Sequence, residues 1–171
     1  MIRVLVLLVL FLPAKILAES HADIAAQRAE TLFVQGCVHY ADNAAGLRVW
    51  AGKIGLPALP ELGQAGFLKG AVRVTYDASN PARKYVVIGI DDGGCMVLAE
   101  TVNTGELVPA SEVELAGAGI PTAPDGDPAD VGTDGMRHRT YHAAQGQRGW
   151  AIVINHSPDM PDQVLLSDNA R

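Results

Sequence analysis

The sequence predicts an α+β protein, in which N-terminal helices pack on an antiparallel sheet of about five strands and one disulfide joins the two. Two patterns support this prediction. Apolar residues recur at helical spacing mainly before residue 70, whereas most of the later chain carries alternating or β-branched runs separated by short turns. Helices followed by a run of strands are typical of α+β folds. The third observation is a lone pair of cysteines, Cys37 and Cys95, one in each part of the chain.

The first twenty residues have the composition of a secretory signal peptide. Arg3 precedes an apolar run over residues 4–12, and Ala18 is a small residue suited to cleavage. The run is shorter than the roughly 20 apolar residues that a membrane-spanning helix needs, so an uncleaved anchor is the weaker alternative. We expect residues 1–18 to be the signal peptide, with cleavage after Ala18 or else after Ala22, and a periplasmic or secreted protein.

Length and charge narrow the classes of function. Residues 19–171 fit a single α+β domain with a hydrophobic core. Removing the signal peptide takes away Arg3 and Lys15, which leaves 11 basic against 19 acidic residues and a net charge of about −8. This balance argues against nucleic acid and anionic membranes as partners, since both attract basic surfaces. We therefore expect no nucleic-acid partner and no stable membrane insertion.

Three helical stretches are predicted before residue 70. Ser20 and Asp23 have the spacing of a capping box before a helix over residues 23–40. Its apolar residues recur at three- and four-residue steps: Ala26, Ala29, Phe33 and Cys37. A second helix follows a cap at Asp42 or Asn43, buries Leu47, Trp50, Ala51 and Ile54, and ends at Gly55. A third is expected from Pro60 to about residue 68.

Strand signals dominate from residue 71 onward. Residues 71–79 alternate in polarity, and the β-branched run over residues 85–90 is typical of a central strand buried on both faces. Gly93 and Gly94 favour a hairpin turn into a strand that starts at Cys95. A short helix over residues 110–116 precedes a proline- and glycine-rich segment, residues 121–135, which we interpret as a long acidic loop. Further strands are predicted at residues 136–143, 149–156 and 163–167.

The two cysteines are predicted to form a disulfide. An isolated cysteine pair in an exported protein is usually oxidised. The separation of about 58 residues excludes a CxxC redox motif, and a zinc site would need further ligands, of which only His39 lies nearby in sequence. Two separate buried thiols are the alternative. The disulfide would tie the first helix to the sheet.

Neither of two metal-like patterns predicts a metal site. His138 and His142 would share a face on a helix, but their flanks indicate a strand, where four residues span about 13 Å. The aspartates near residue 130 resemble a calcium loop, but Ala129 and Met136 stand where that loop needs oxygen ligands. No phosphate-binding loop follows a strand. We expect no cofactor.

Catalytic patterns are equally weak. The chain has no GxSxG motif, and Cys37 and His39 are two apart on a predicted helix, so their side chains diverge. Ser111 and Ser157 are explained by a helix cap and a turn. The acids nearest the predicted sheet are Glu100, Glu112 and Glu114, and the last two do not face each other on a helix. We predict no catalytic residue, although a small hydrolase with a scattered active site is the alternative.

Several short motifs resemble a family of small, uncharacterised exported bacterial proteins, periplasmic or lipoprotein-like. Residues 50–57 read W-x-x-x-x-G-L-P, residues 67–70 read F-L-x-G, and residues 94–97 read G-C-x-V. Together with Cys37 near the end of the first helix, the resemblance covers residues 30–118. It implies export and carries no activity. Many members resemble lipoproteins, whereas this chain has no cysteine near the predicted cleavage point.

These observations favour an exported cell-envelope protein that acts by binding another protein, as an accessory or immunity-type inhibitor. Long loops on a rigid scaffold commonly carry recognition. The loop at residues 121–135 contains no basic residue, which suggests a basic surface on the envelope partner. The partner-binding residues that we predict are its four aspartates: Asp125, Asp127, Asp130 and Asp134. A passive acidic connector is the alternative.

Overall fold

A computed structural model describes residues 15–60, 73–91, 93–125, 135–145 and 148–170. Within these residues the chain forms three α-helices and one seven-stranded antiparallel sheet. The predicted α+β class is confirmed, but the predicted strand count of about five is too low. No helix in the described ranges is long and apolar enough to cross a membrane.

The first helix, α1, spans Lys15–Leu32 and continues directly into a π-helical segment, Phe33–Val38. The amide of His39 donates to the carbonyl of Val34, five residues back, at 3.0 Å. Ser20 lies inside α1, so the predicted capping box does not start this helix. Leu17 and Ala18 are strong helix formers, and the helix includes them. The change from α to π geometry had no signal in the sequence.

The second helix, α2, spans Ala44–Lys53, and Asn43 caps it by accepting from the amide of Gly46 at 2.9 Å. Ile54 follows the helix and is 46% exposed, contrary to its predicted place on the buried side. The third helix, α3, spans Thr104–Gly117. Asn103 caps it, so it starts before the predicted residue 110 and includes Pro109. The helix predicted after Pro60 lies outside the described residues.

Seven strands form the sheet in the spatial order β1-β2-β3-β7-β6-β5-β4. Their bounds are β1 Arg73–Asp77, β2 Tyr85–Ile90, β3 Cys95–Glu100, β4 Thr122–Asp125, β5 Arg137–Gln145, β6 Arg148–Ser157 and β7 Met160–Ala170. The hairpin before Cys95 is confirmed, with Gly93 at a φ of 102°. The last strand, β7, is longer than predicted and lies in the middle of the sheet, between β3 and β6.

The segment at residues 121–135 is not a loop throughout, because its first part forms the edge strand β4. Thr122 lies opposite Ala143 of β5, and Asp125 lies opposite Thr140. An edge strand needs hydrogen bonds on one side only, so it tolerates Pro124, which has no amide hydrogen to donate. The sequence prediction failed here because it took proline and glycine as signs of a loop.

All three helices pack on one face of the sheet. The phenol of Tyr85 donates to the carbonyl of Ala25 in α1, Leu47 of α2 lies over Gly89, and Tyr141 donates to Glu112 of α3. The strand registers place Tyr85, Gly89 and Tyr141 on the same face as the buried residues Val97, Ile152, Ile154 and Leu166. This helix–sheet interface is the hydrophobic core.

The disulfide between Cys37 and Cys95 is present, with the two Cα atoms 5.1 Å apart. It joins the π-helical segment to the first residue of β3, and the chain has no free cysteine. The predicted connection between the first helix and the sheet is therefore confirmed.

Candidate functional site

A cavity of about 530 Å³ lies between the helices and one end of the sheet. Its described walls come from four separate parts of the chain: the π-helical segment with the two residues after it, α2, the link after α3, and the start of β6. The lining residues are Val34, Gln35, Val38, His39, Tyr40, Trp50, Ala118, Ile120 and Trp150. We call this the aromatic cavity, because four of these nine side chains are aromatic rings.

The π-helical segment gives the cavity its shape on one side. A Cβ atom on Gly36 would lie 2.7 Å from the ring of Trp50, so only glycine lets α2 approach this closely. The next residue, Cys37, is fixed to β3 by the disulfide. Single π-helical turns are rare and occur frequently at functional sites. The wall of the cavity is therefore an unusual backbone segment that is covalently anchored.

The polar side chains Gln35 and His39 lie at the mouth of the aromatic cavity. Gln35, His39 and Ala118 are exposed, so they mark the rim. The imidazole of His39 contacts the ring of Tyr40 edge-on, with centroids 4.7 Å apart, and the Tyr40 and Trp50 rings lie 6.4 Å apart. The described lining contains no aspartate, glutamate, lysine or arginine. The described lining is therefore uncharged, and it combines aromatic and aliphatic side chains with polar groups.

Among the described lining residues, Trp150 carries a buried polar group without a partner in the described part of the chain. Only 3% of its surface is exposed, and its indole Nε1 has no hydrogen-bond partner among the described residues. Tryptophan is a donor only, so Nε1 needs an acceptor. A buried donor that is left unpaired costs about 1–3 kcal/mol, so this wall of the cavity includes a group that destabilises the fold.

Two buried carboxyl groups lie outside the described cavity lining. Glu30 of α1 is fully buried and accepts a hydrogen bond from the Ser111 hydroxyl of α3 at 2.5 Å. Burial raises the pKa of Glu30 to about 8, against the opposing effect of the Ser111 hydrogen bond. Its carboxyl is therefore protonated at neutral pH, and this proton allows the group to lie inside the contact between α1 and α3.

Asp168 of β7 is the second buried carboxyl group, and it lies beside the disulfide. Its Oδ1 accepts from the amide of Cys95 at 2.8 Å, while its Oδ2 has no partner among the described residues. Burial raises the pKa of Asp168 to about 7, and the nearby charge of Asp42 acts in the same direction. Both groups belong to the packing of the core and are not arranged as an acid–base pair.

A third polar cluster joins α3 to β5. The Tyr141 phenol donates to Glu112 at 3.1 Å, and the Arg139 guanidinium lies 5.4 Å from the centre of the Tyr141 ring. Burial raises the pKa of Tyr141 above its usual value. Glu112 is exposed, and Glu114 projects from the same helix at a different angle. These acids make structural contacts and do not form a facing carboxylate pair.

The histidines lie on a strand and Ser157 lies in a turn, as the sequence predicted, whereas Ser111 differs from its prediction. His138 and His142 both lie in β5, which confirms the strand interpretation, and His138 contacts Asn155 of β6. Ser157 accepts from the amide of Asp159 in a turn. Ser111 is not a cap: it lies in the middle of α3, where its Oγ also lies 2.9 Å from the carbonyl oxygen of Leu107. The described residues contain no cluster of three metal-ligating side chains.

Of the four predicted partner-binding aspartates, one ends a described strand and three lie outside the described residues. Asp125 is the last residue of β4, and its side chain is not described. Asp127, Asp130 and Asp134 lie outside the described residues. Sequence reasoning missed the aromatic cavity altogether. The available signal was the presence of only two tryptophans, both of which line it.

No protein-family model, curated protein or solved structure matches this chain. The resemblance to small exported bacterial proteins therefore stays a prediction from the sequence.

Proposed function

We propose that this protein is an exported cell-envelope protein that binds a partner protein without catalysis, as an accessory or immunity-type inhibitor. The observation that carries the proposal is the aromatic cavity, whose described lining holds two tryptophans and a tyrosine and no charged side chain. Tryptophan and tyrosine are enriched among the residues that contribute most to protein–protein affinity, and such residues cluster in well-packed pockets.

The rigidity of the cavity wall supports binding by a preformed surface. The disulfide fixes the π-helical segment to β3, and Gly36 holds that segment against Trp50. A wall that is already ordered loses little conformational entropy on association, so more of the contact energy appears as affinity. The apolar N-terminal run and the disulfide both suit a protein that acts in an oxidising envelope compartment.

Site-specific photo-crosslinking in cells of the native host tests this proposal. A photoreactive p-benzoylphenylalanine at position 39, on the rim, should capture one discrete envelope protein. The matched control places it at Met160, which is 50% exposed and lies near the other end of β6 from Trp150. The control should capture nothing discrete. Equal labelling from both positions, or none from position 39, would contradict the proposal.

The acidic segment at residues 121–135 is the second contact that we propose for this partner. Ile120 lines the cavity and β4 starts two residues later, so the segment follows the cavity directly in the chain. Replacing Asp125, Asp127, Asp130 and Asp134 with asparagine should slow association and reduce its salt dependence, because opposite charges accelerate encounter. Replacing the exposed Asp159 and Asp162 should change neither. Unchanged kinetics in the fourfold variant at low salt would remove this segment from the interface.

A further inference from the structure

The face of the sheet that points away from the three helices carries apolar side chains of its own. Leu98 of β3 lies opposite Leu165 of β7. Ser167 of β7 lies between Met96 of β3 and Val153 of β6. The four apolar side chains are partly exposed and do not belong to the hydrophobic core, and the three described helices pack on the opposite face. We define the open-face patch as these four residues: Met96, Leu98, Val153 and Leu165.

The open-face patch departs from the usual pattern of a sheet with one face in water. Such a face normally carries polar side chains, and β5 follows this rule with His138, Thr140 and His142. Towards the opposite edge of the same face, Thr75 of β1 and Ile88 of β2 are already buried. The middle of the face therefore presents the patch between a polar side and a buried side. A contiguous exposed apolar surface commonly marks an interaction site.

The polar groups next to the open-face patch already have partners within the chain. The Ser167 hydroxyl donates to the carbonyl of Val153 at 3.5 Å, and the Asn155 side chain contacts His138. Glu100, at the end of β3, forms an ion pair with Lys84 at 3.3 Å. A surface that covers the patch would therefore leave these groups paired. An apolar centre with a polar margin is the usual composition of a protein–protein contact.

We propose that the open-face patch is the contact between two copies of this chain, whose sheets stack face to face about a twofold axis. This inference goes beyond the proposed function, because the aromatic cavity lies on the helix side of the sheet. Two identical sheets have the same right-handed twist, so their faces match when the strands of one cross those of the other at about 30°. Twofold dimers with such a self-complementary contact are the commonest soluble homo-oligomers.

The open face is large enough for a stable dimer. Its four strands from β3 to β5 have 6, 11, 10 and 9 residues in spatial order. With a rise of about 3.3 Å per residue and about 4.8 Å between strands, they present about 550 Å² on each copy. Two copies would bury about 1,100 Å² in total, and a specific interface needs about 1,000 Å². Both copies have a net negative charge, so salt should strengthen the dimer by screening their repulsion.

Analytical ultracentrifugation of the exported protein over a wide range of concentrations, at low and at high salt, tests this proposal. We expect a reversible equilibrium between monomer and dimer that favours the dimer more at high salt. Leu98→Glu should weaken dimerisation by about 100-fold or more, because each copy would bury a carboxylate without a partner. Val113→Glu is the matched control. Val113 is 69% exposed on α3, so the same change of charge there should leave the dimer intact.

A second variant and a stability measurement separate the dimer from other arrangements. Met96→Lys should also weaken the dimer, and its long side chain can reach water in the monomer. Where all proteins are monomeric, urea denaturation should give both variants the stability of the wild type, because the patch lies outside the core. A wild type that is monomeric at every concentration would overturn the proposal. If Leu98→Glu then unfolds more easily, the patch is covered within one chain; if it does not, the face lies in water. Dimerisation that neither patch variant weakens would overturn the proposal as well.

Discussion

Trp150 at the aromatic cavity and Glu30 in the contact between α1 and α3 each carry a buried polar atom with no partner among the described residues, but their surroundings differ. Trp150 Nε1 belongs to a ring that borders about 530 Å³ of open volume. Glu30 Oε2 belongs to a fully buried carboxyl group, whose other oxygen accepts from Ser111 on the facing helix. The indole belongs to a ring in the wall of an open cavity, and the carboxyl group lies between two packed helices.

This difference shows two ways in which a fold accommodates a buried polar group. In the helix contact the adjustment is internal: burial raises the pKa of Glu30 to about 8, so the carboxyl keeps its proton and avoids a buried charge. An indole has no such option, because its N–H does not titrate in the accessible pH range. Its nitrogen stays unpaired among the described residues, and the packing around the ring must offset that cost. Each of the following predictions separates these two regions.

Removing the disulfide should have the largest effect, and it should act on the cavity first. The Cys37–Cys95 bond closes a loop with a separation of 58 residues. Chain entropy alone then predicts that a Cys37→Ala, Cys95→Ala variant loses about 4 kcal/mol of unfolding free energy. Urea denaturation measures this loss. Hydrogen exchange should show earlier opening of the π-helical segment than of α3. A variant with an unchanged urea midpoint would show that the disulfide does not contribute to the free energy of unfolding.

The next effect is the dependence of stability on pH, which comes from the helix contact. The folded protein keeps a proton on Glu30 up to about pH 8, whereas the unfolded chain loses it near pH 4.5. The free energy of unfolding should therefore fall as the pH rises through this window, by an amount on the order of a few kcal/mol. Glu30→Gln cannot ionise, so it should be more stable than the wild type above pH 8. Denaturation across the pH range measures both curves.

Asp168 supplies the matched control for that experiment. Its pKa is raised from 3.8 to about 7, so it also destabilises the fold as the pH rises, but in a lower window. Asp168→Asn keeps an oxygen that accepts from the Cys95 amide and should flatten the curve below pH 7. Between pH 7 and 8, only the Glu30→Gln variant should flatten the curve of stability against pH. If neither variant changes the pH dependence, the two carboxyl groups are ionised in the folded protein.

A methyl group at Gly36 should damage the cavity wall with an intermediate effect. In Gly36→Ala the new Cβ atom would lie 2.7 Å from the Trp50 ring, so the wall or the ring must move. We expect a loss of about 1–3 kcal/mol and an altered tryptophan emission. Gly52→Ala is the control, because its Cβ meets nothing within 4 Å and alanine favours the helix. If Gly36→Ala were as stable as Gly52→Ala, the cavity wall could shift to accept the new Cβ atom without loss of stability.

The elements that the sequence predicted correctly are those with local signals. Asn43 caps α2 through a contact three residues away, Gly93 supplies the positive φ of a hairpin, and a lone cysteine pair has one partner to choose. The edge strand β4 has no such signal. It contains Pro124 and no alternation, and it forms because the backbone of β5 offers hydrogen bonds, which depends on tertiary structure.

The aromatic cavity was not predictable for a similar reason. Its walls combine Val34, Trp50, Ile120 and Trp150, which are separated by up to 116 positions and meet only once the sheet order is known. In the sequence Trp50 belongs to the apolar face of a helix, and Trp150 to a strand. Neither pattern distinguishes a side chain that fills the core from one that borders an opening.

The smallest effect that we predict comes from the hydroxyl between α1 and α3. Ser111→Ala removes the donor to Glu30 and should cost about 1 kcal/mol. The Ser111 hydrogen bond lowers the pKa of Glu30, so its loss should raise that pKa further, and the fall in unfolding free energy should continue to a higher pH than in the wild type. Denaturation at several pH values measures both changes. Ser157→Ala, which removes an exposed turn contact, is the control and should leave the pH profile unmoved. If the pH dependence of stability were the same in Ser111→Ala and Ser157→Ala, the Ser111 hydroxyl would not affect the pKa of Glu30. Glu30 would then resemble the indole of Trp150, a buried polar group that gains nothing from a neighbouring element.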